Sequence, residues 1–408
     1  MSSGSAHAED RVDALIERLD RQEAEILALR QEVRELREQG PKVPDDVPAD
    51  APYYQKEDGE ERLTEYENPR IRLDVAGQIN QAVNFVGDGK DARALFVDND
   101  ASNSRIRLSG VSTFEEGPEV GTTLEIAFSG NNSFDVSQDN ETASDFIQVR
   151  RAEVFVLDER FGRLMFGRGS AAADNTAEFN LSRVSGPIMT SGVSFPIGGV
   201  QFTDGDVLAG VTVDDAFFNF DGGRQNRVRY DTPMFGPVQV SVSAGADQRL
   251  DAALTFGSDF DRWTGVDLGP LVALGGVAIS DPSNGDADFR VAGSGSLLHP
   301  ATGLSVTLSS GFDAGTAGDT PYNVYGQLGW DANLLSFGPT GFGVDYTWTE
   351  NRSADDDQGQ SVGFAAVQTL DRYGIEVYSQ LRWLTLDRDA GQSFDDLWIG
   401  TVGTRVRF

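Results

Sequence analysis

The residues with the most chemical potential in this chain are arginines set two apart. "RIR" places Arg105 and Arg107, "RVR" places Arg227 and Arg229, and the terminal "RVRF" places Arg405 and Arg407 in this way. In an extended strand that spacing puts both guanidiniums of a pair on one face. Arginine is suited to planar, multi-donor contact with carboxylate or phosphate. It also carries nearly all the positive charge of the chain, because Lys42, Lys56 and Lys90 are the only lysines. Arg72, Arg151, Arg290 and Arg382 occupy the polar face of other alternating segments, and Arg168 stands at the root of a long connection. The chemistry on offer is the binding and steering of anions.

Bond-breaking chemistry has little to work with. The histidines are His7, in a polar N-terminal stretch, and His299, in the turn "LLHPATG"; cysteine is absent. Neither a G-x-S-x-G elbow nor an H-E-x-x-H pair occurs. The acidic runs "DND" at 98–100 and "DDD" at 355–357 lack the spacing of a calcium loop. No enzyme and no cofactor is expected. With 65 acidic against 33 basic residues, a formal charge of −32, a nucleic-acid-binding surface is excluded as well.

The elements that must hold these arginines change along the chain. Residues 1–10 form a polar tail without an apolar leader core, which implies that any export signal was removed upstream of this start. Over 11–39 apolar residues recur in heptads, with Val12, Leu15, Leu19, Ile26, Leu29, Val33 and Leu36 at the seam and Gln22 as its one polar member. That pattern predicts a parallel, oligomerising coiled coil. Pro41, Pro44, Pro48 and Pro52 then mark an extended linker over 40–68.

From residue 69 to 408 the period becomes two. In "RIRLDVAGQINQAVNFV" Ile71, Leu73, Val75, Ile79, Val83 and Phe85 share one face, with Arg72, Asp74, Gln78, Asn80 and Asn84 on the other. No apolar run is long enough for a membrane-crossing helix. About sixteen such strands follow one another, and the connections between them sort by parity. Most after odd strands are long and acidic, such as "GDGKDARALFVDND" and "NNSFDVSQDNETAS"; most after even strands are compact, such as "DERFG" and "LDRYG". A sandwich has no reason to sort its loops in this way. The expected fold is all-β, a transmembrane antiparallel β-barrel of about sixteen strands, closed because open edges cannot sit in hydrocarbon, preceded by a short α-helical coiled coil.

Residues 70–408 thereby resemble a Gram-negative outer-membrane porin. The specific stretches are "RRAEVFVLDERFGRLMFGRGS" and "RQNRVRYDTPMFGPVQVSVSAG", which are similar to the strands flanking the constriction loop of general porins. Phe408, preceded at alternate positions by Val406, Thr404 and Val402, is similar to the assembly signal read by the barrel-insertion machinery. The coiled coil and Pro-rich linker make the DcaP-like trimeric porins the best match. Phosphate- or polyphosphate-selective porins share the layout, but their lysine-rich constriction has no counterpart here.

The resemblance implies that residues 169–225 fold into the lumen and narrow it. The loop then sets Asp174, Glu178, Asp204 and Asp206, with Arg183 among them, against wall residues Arg105, Arg107, Arg151, Arg168, Arg227, Arg229, Arg290 and Arg382. Arg72, Arg405 and Arg407 are expected to meet across the closing seam as a basic patch at the periplasmic exit. The implied function is passive diffusion of small hydrophilic solutes with a preference for anions such as carboxylates. A phosphate-selective pore and a structural barrel tethering the outer membrane are the alternatives. Implied partners are two further copies of the chain, lipopolysaccharide and outer-membrane lipid, and the acidic external loops are able to hold divalent cations.

Overall fold

Period-two alternation folds here into strands, most of which close on one another in a single sheet. In the computed structural model, residues 65–68, 71–114, 117–144, 146–246, 249–259, 271–282, 287–388 and 392–408 are described. The tail, the coiled-coil seam from Val12 to Leu36 and the linker as far as residue 64 lie outside the described residues. The last four residues assigned to the linker form a strand instead.

In chain order the strands are β1 (Glu65–Asn68), β2 (Ile71–Gly87), β3 (Ala92–Asp98), β4 (Arg105–Thr113), β5 (Glu119–Ser129), β6 (Phe146–Asp158) and β7 (Gly162–Ser170). There follow β8 (Gln201–Asp204), β9 (Val207–Thr212), the short helix α1 (Val213–Phe217), β10 (Arg224–Asp231), β11 (Val238–Gly245), β12 (Leu250–Asp259) and β13 (Val272–Ser280). The series ends with β14 (Phe289–His299), β15 (Leu304–Ala314), β16 (Tyr322–Leu335), β17 (Gly338–Glu350), β18 (Asp357–Leu370), β19 (Ile375–Arg388) and β20 (Leu397–Arg407). The small hairpin β8–β9 stands apart, and β3 and β4 pair successively with the upper and lower parts of β2 as one interrupted strand. With β1 as a short addition to β2, the remainder is a closed sixteen-strand antiparallel barrel.

Closure is made by β2 and β20, paired from Gln78↔Arg407 to Gly87↔Trp398. One step further, Gly77 and Phe408 exchange both backbone hydrogen bonds, at 2.7 and 2.9 Å. The Phe408 ring lies over the Cα of Gly77, where a Cβ would stand 2.7 Å from a ring carbon. The chain therefore ends inside the ladder.

The outer surface is an apolar band. Ile79, Phe85, Leu124, Phe166, Leu254, Leu308, Leu328, Phe364, Leu381 and Val402 are all exposed. Aromatic pairs stand near both rims: Trp330 stacks on Phe342 at 5.9 Å beside the short turns, and Trp383 faces Trp398 at 6.3 Å beside the long loops. That is the surface a barrel presents to lipid. The compact turns need glycine where the chain reverses: Gly374 adopts φ 59°, and a Cβ there would meet the Arg407 carbonyl.

Two connections differ from the parity reading. The first long loop is a hairpin, because "ARALFVD" alternates: Leu95 and Val97 face in and Phe96 faces out. Its turn is Asp88–Asp91, with the Asp88 carboxylate accepting from the backbone N–H of Lys90 and of Asp91. "DANLLSFGPTG" is also strand for most of its length, since β16 runs to Leu335 and β17 starts at Gly338.

Candidate functional site

Strands β4 to β7 and β10 carry the arginines on one arc of the inner wall. The register fixes their direction, because residues directly opposite in a ladder share a face. Ala76↔Arg107 and Gln78↔Arg105 place both β4 arginines beside buried, inward residues of β2. Arg107↔Glu125 and Glu125↔Arg151 carry the same face onto β5 and β6.

Alternation alone turns Arg150 outward, but the ladder slips between Glu125 and Ile126, so Arg150 is an extra residue. A bulge of this kind re-aims a side chain. Arg150 donates to Glu125 Oε1 at 2.6 Å, Arg107 reaches Glu125 Oε2 at 2.6 Å, and Arg105 stands 4.0 Å away. Glu125 is thus clasped by three guanidiniums, and its side chain is only 1 % exposed.

The same face continues on β7 and β10. Arg227 donates to Glu153 Oε2 at 2.5 Å and to the Ser170 carbonyl at 2.9 Å. Arg229 pairs with Asp231 at 2.8 Å and donates to the Ala171 carbonyl at 2.8 Å. Arg163 lies opposite Asp231 and stacks on Phe155 at 4.2 Å. Among the described residues of this arc, seven inward arginines (105, 107, 150, 151, 163, 227 and 229) face four carboxylates, Glu119, Glu125, Glu153 and Asp231. The surplus is positive in a chain whose total charge is strongly negative.

The segment 171–223 between β7 and β10 lies against the rest of the inner wall. Ala172 N–H donates to Ser243 on β11, Phe179 and Leu181 N–H to Ser294 and Ser296 on β14, and Asn180 to Gln327 on β16. Further along, Arg405 donates to the Gly186 carbonyl and Asn84 to that of Pro196. Val184, Ile188, Met189, Val193, Ile197, Phe202 and Phe217 join wall residues Tyr325, Val367, Tyr378, Leu384 and Ile399 in one apolar core. An inner wall meant to touch water throughout has no need of such a core; this one is built to be covered. Within the segment, Asp221 accepts from the N–H of Asn175 and Ala177. Burial, then the charges of Glu178 and Asp174, push its carboxyl well above the usual range.

This barrel is matched by the family model described as Gram-negative porin over residues 65–389, most of the chain. The chain belongs to the Gram-negative porin family. As a porin it is an outer-membrane channel rather than an enzyme. It is similar in fold to the solved "Anion-selective porin from Comamonas acidovorans", at 17% identity with a TM-score of 0.57, covering 83% of this chain and 100% of that one. OmpT, an outer membrane protein of Vibrio cholerae, is 14% identical with a TM-score of 0.54, over 85% of this chain and 100% of that chain. Salmonella typhi OmpF is 11% identical with a TM-score of 0.50, over 85% and 100%. No curated protein matches the chain.

Several residues expected at the site of this porin stand elsewhere. Arg168 shares the outward face with Phe166 and Leu164, and its Nε donates to the Val149 carbonyl. Counting by twos from the exposed Phe166 gives that answer and selects Arg163 instead. Asp204 and Asp206 lie at the exposed tip of the β8–β9 hairpin, where Lys90 reaches the Asp206 carbonyl at 2.8 Å. They are at the long-loop rim, away from the arginine arc.

Arg382 faces inward but is buried, 1 % exposed, donating to Asp345 at 2.7 Å and to Ser361 at 2.8 Å. Arg290 is held bidentately by Asp313 and covered by Phe218 and Phe220. Arg183 bonds toward Asp331 and Thr369, Asp174 stands 3.8 Å from Arg224, and Glu178 accepts from Asn219.

The basic patch at the seam does not form. Arg405 and Arg407 share Glu376, at 2.5 and 3.4 Å. Arg72 pairs with Asp74 six positions along β2 from the Arg407 register, roughly 20 Å away along the strand.

Proposed function

We propose that this porin is a passive diffusion channel with a preference for small anions such as carboxylates. The observation that carries the reading is the arginine surplus on β4–β7 and β10. Segment 171–223 covers the opposite inner wall, so permeant ions are confined to the arc. In a wet passage each charge acts in high dielectric, and an ion contact at about 4 Å contributes about 1 kcal/mol. Contacts of that strength favour passage over retention, and an excess of one sign selects the opposite ion. The solved porin described as anion-selective and the trimer form of the Vibrio cholerae protein support an anion-preferring homotrimer. Lipopolysaccharide around the rim and the insertion machinery at Phe408 complete the set of partners.

A salt-gradient measurement in a planar bilayer tests this. The reversal potential is expected on the anion side, with closure in three equal steps. A cation-selective reversal refutes the anion preference, and absence of conductance refutes the channel.

A further inference from the structure

A second cluster of guanidiniums stands at the long-loop mouth, apart from the arc. Phe218 and Phe220, on the limb of the inner segment that returns toward β10, have ring centroids 5.8 Å apart. Arg290, at the start of β14, lies over both rings, at 5.0 and 5.4 Å. Arg352, in the connection between β17 and β18, lies over the same two rings at 5.2 and 4.8 Å. Two cations thus share one pair of rings.

Their electrostatics differ. Arg290 has a full counter-ion in Asp313, with oxygens at 2.7 and 2.8 Å. Among the described residues, no carboxylate comes within ion-pair distance of Arg352, and its Nε is buried with no hydrogen-bond acceptor. Burial first, then the neighbouring Arg290, holds the Arg352 guanidinium below its usual range. The nearby carboxylates have other duties. Asp214 accepts from Ser194 at 2.8 Å, and Asp215 closes the capping box of Thr212.

A second observation concerns the backbone. Phe220 has φ 58°, a left-handed conformation that a bulky residue rarely adopts. Such strain persists only where the surroundings fix it, and it gathers at ligand clamps. Here it turns the ring into the cluster, where Phe220 is fully buried against Ala177 and Ala292.

We propose that Arg352, with Arg290 beside it on the Phe218–Phe220 pair, is a docking site for a small monovalent carboxylate at the external mouth of the pore. A carboxylate supplies the planar acceptor edge that Asp313 already gives Arg290. Arg352 makes no ion pair of its own among the described residues and a single carboxylate supplies one, whereas the charges of Asp214, Asp215 and Asp313 around it disfavour a multivalent anion. The site collects carboxylates before they reach the arc, so it deepens the anion reading and rests on it for the direction of traffic.

The test uses the purified full-length protein in planar bilayers. Chloride current is recorded while potassium acetate is added on the long-loop side at constant ionic strength. Acetate is expected to reduce the current saturably, and Arg352→Gln to raise the half-blocking concentration about tenfold. Arg352→Lys, which keeps the charge but loses the two-donor edge, is expected between the two and serves if the glutamine variant assembles poorly. A shift below about twofold in both variants overturns the site. Inorganic phosphate blocking at lower concentration than acetate, with relief by Arg352→Gln, overturns the carboxylate assignment. The wild-type reversal potential in a chloride gradient separates the two readings. Cation selectivity together with an Arg352-dependent acetate block removes the anion preference alone, and anion selectivity without such a block removes the docking site alone.

Discussion

Glu125→Gln is the most informative single change in the arc, because it removes one negative charge and keeps the shape. The Glu125 carboxylate lies 2.6 Å from Arg107 and from Arg150 and is nearly dry. Neutralising it leaves the charge of those guanidiniums uncancelled toward the passage. At roughly 7 Å from an ion, one charge in water contributes about 0.6 kcal/mol, and a Debye length of about 10 Å at 0.1 M salt halves this to about 0.3 kcal/mol. The term favours anions and disfavours cations equally, so the anion-to-cation permeability ratio is expected to rise about threefold at 0.1 M. At 1 M the Debye length is about 3 Å and the effect nearly vanishes. Reversal potentials of wild type and variant at both salt concentrations measure it. An unchanged or falling ratio at low salt refutes the reasoning, and so does a shift that persists at high salt, which points to a changed pore shape. The variant also weakens charge-assisted hydrogen bonds, each contributing about 1.5–3 kcal/mol, so its barrel is expected to denature at lower temperature in detergent.

Arg382→Ala leaves Asp345 buried without its cation and is expected to destabilise the barrel by about 3–5 kcal/mol in denaturant titration, with the reversal potential unchanged because both side chains are buried away from the passage. A clear shift toward cation selectivity shows instead that Arg382 is wet. Asp221 gives a pH dependence with a definite sign. Its folded pKa is raised, so its contribution to docking of segment 171–223 is complete below the ordinary value of 3.8 and is lost as pH rises through the folded value. Hydrogen exchange of 171–223 is therefore expected to be slower in acid than at neutral pH after correction for the intrinsic rate, and Asp221→Asn to flatten the difference. Equal wild-type protection at both pH values contradicts this.

Much of the barrel was legible in the sequence because alternation is local. A residue two positions from an outward Ile79 or Phe166 is outward too, and this places Arg105, Arg107, Arg227 and Arg229 inside without reference to any partner strand. The terminal "RVRF" was legible for the same reason, with Arg405 and Arg407 within and Val406 without. Loop parity pointed to an even-stranded membrane barrel, and closure followed because open sheet edges cannot sit in hydrocarbon.

What the sequence left open depends on a second segment. Arg150 turns inward because one ladder slips by a residue, and a bulge belongs to a pair of strands. Arg290 and Arg382 face inward as parity requires, yet Phe218 and Phe220 of the inner segment cover the first, and the second is buried against Asp345 and Ser361. Asp204 and Asp206 were indistinguishable from Asp174 until the β8–β9 hairpin carried them to the rim. Arg72 was separated from Arg405 and Arg407 by the seam register, which Gly77 and Phe408 help to set where the first and last strands of the barrel meet. The sequence by itself determined which face each side chain takes, since that follows from backbone geometry two residues at a time. Which inward charges meet each other, and which meet water, was decided only by tertiary structure, because burial and Coulomb contact depend on distances between segments far apart in the chain.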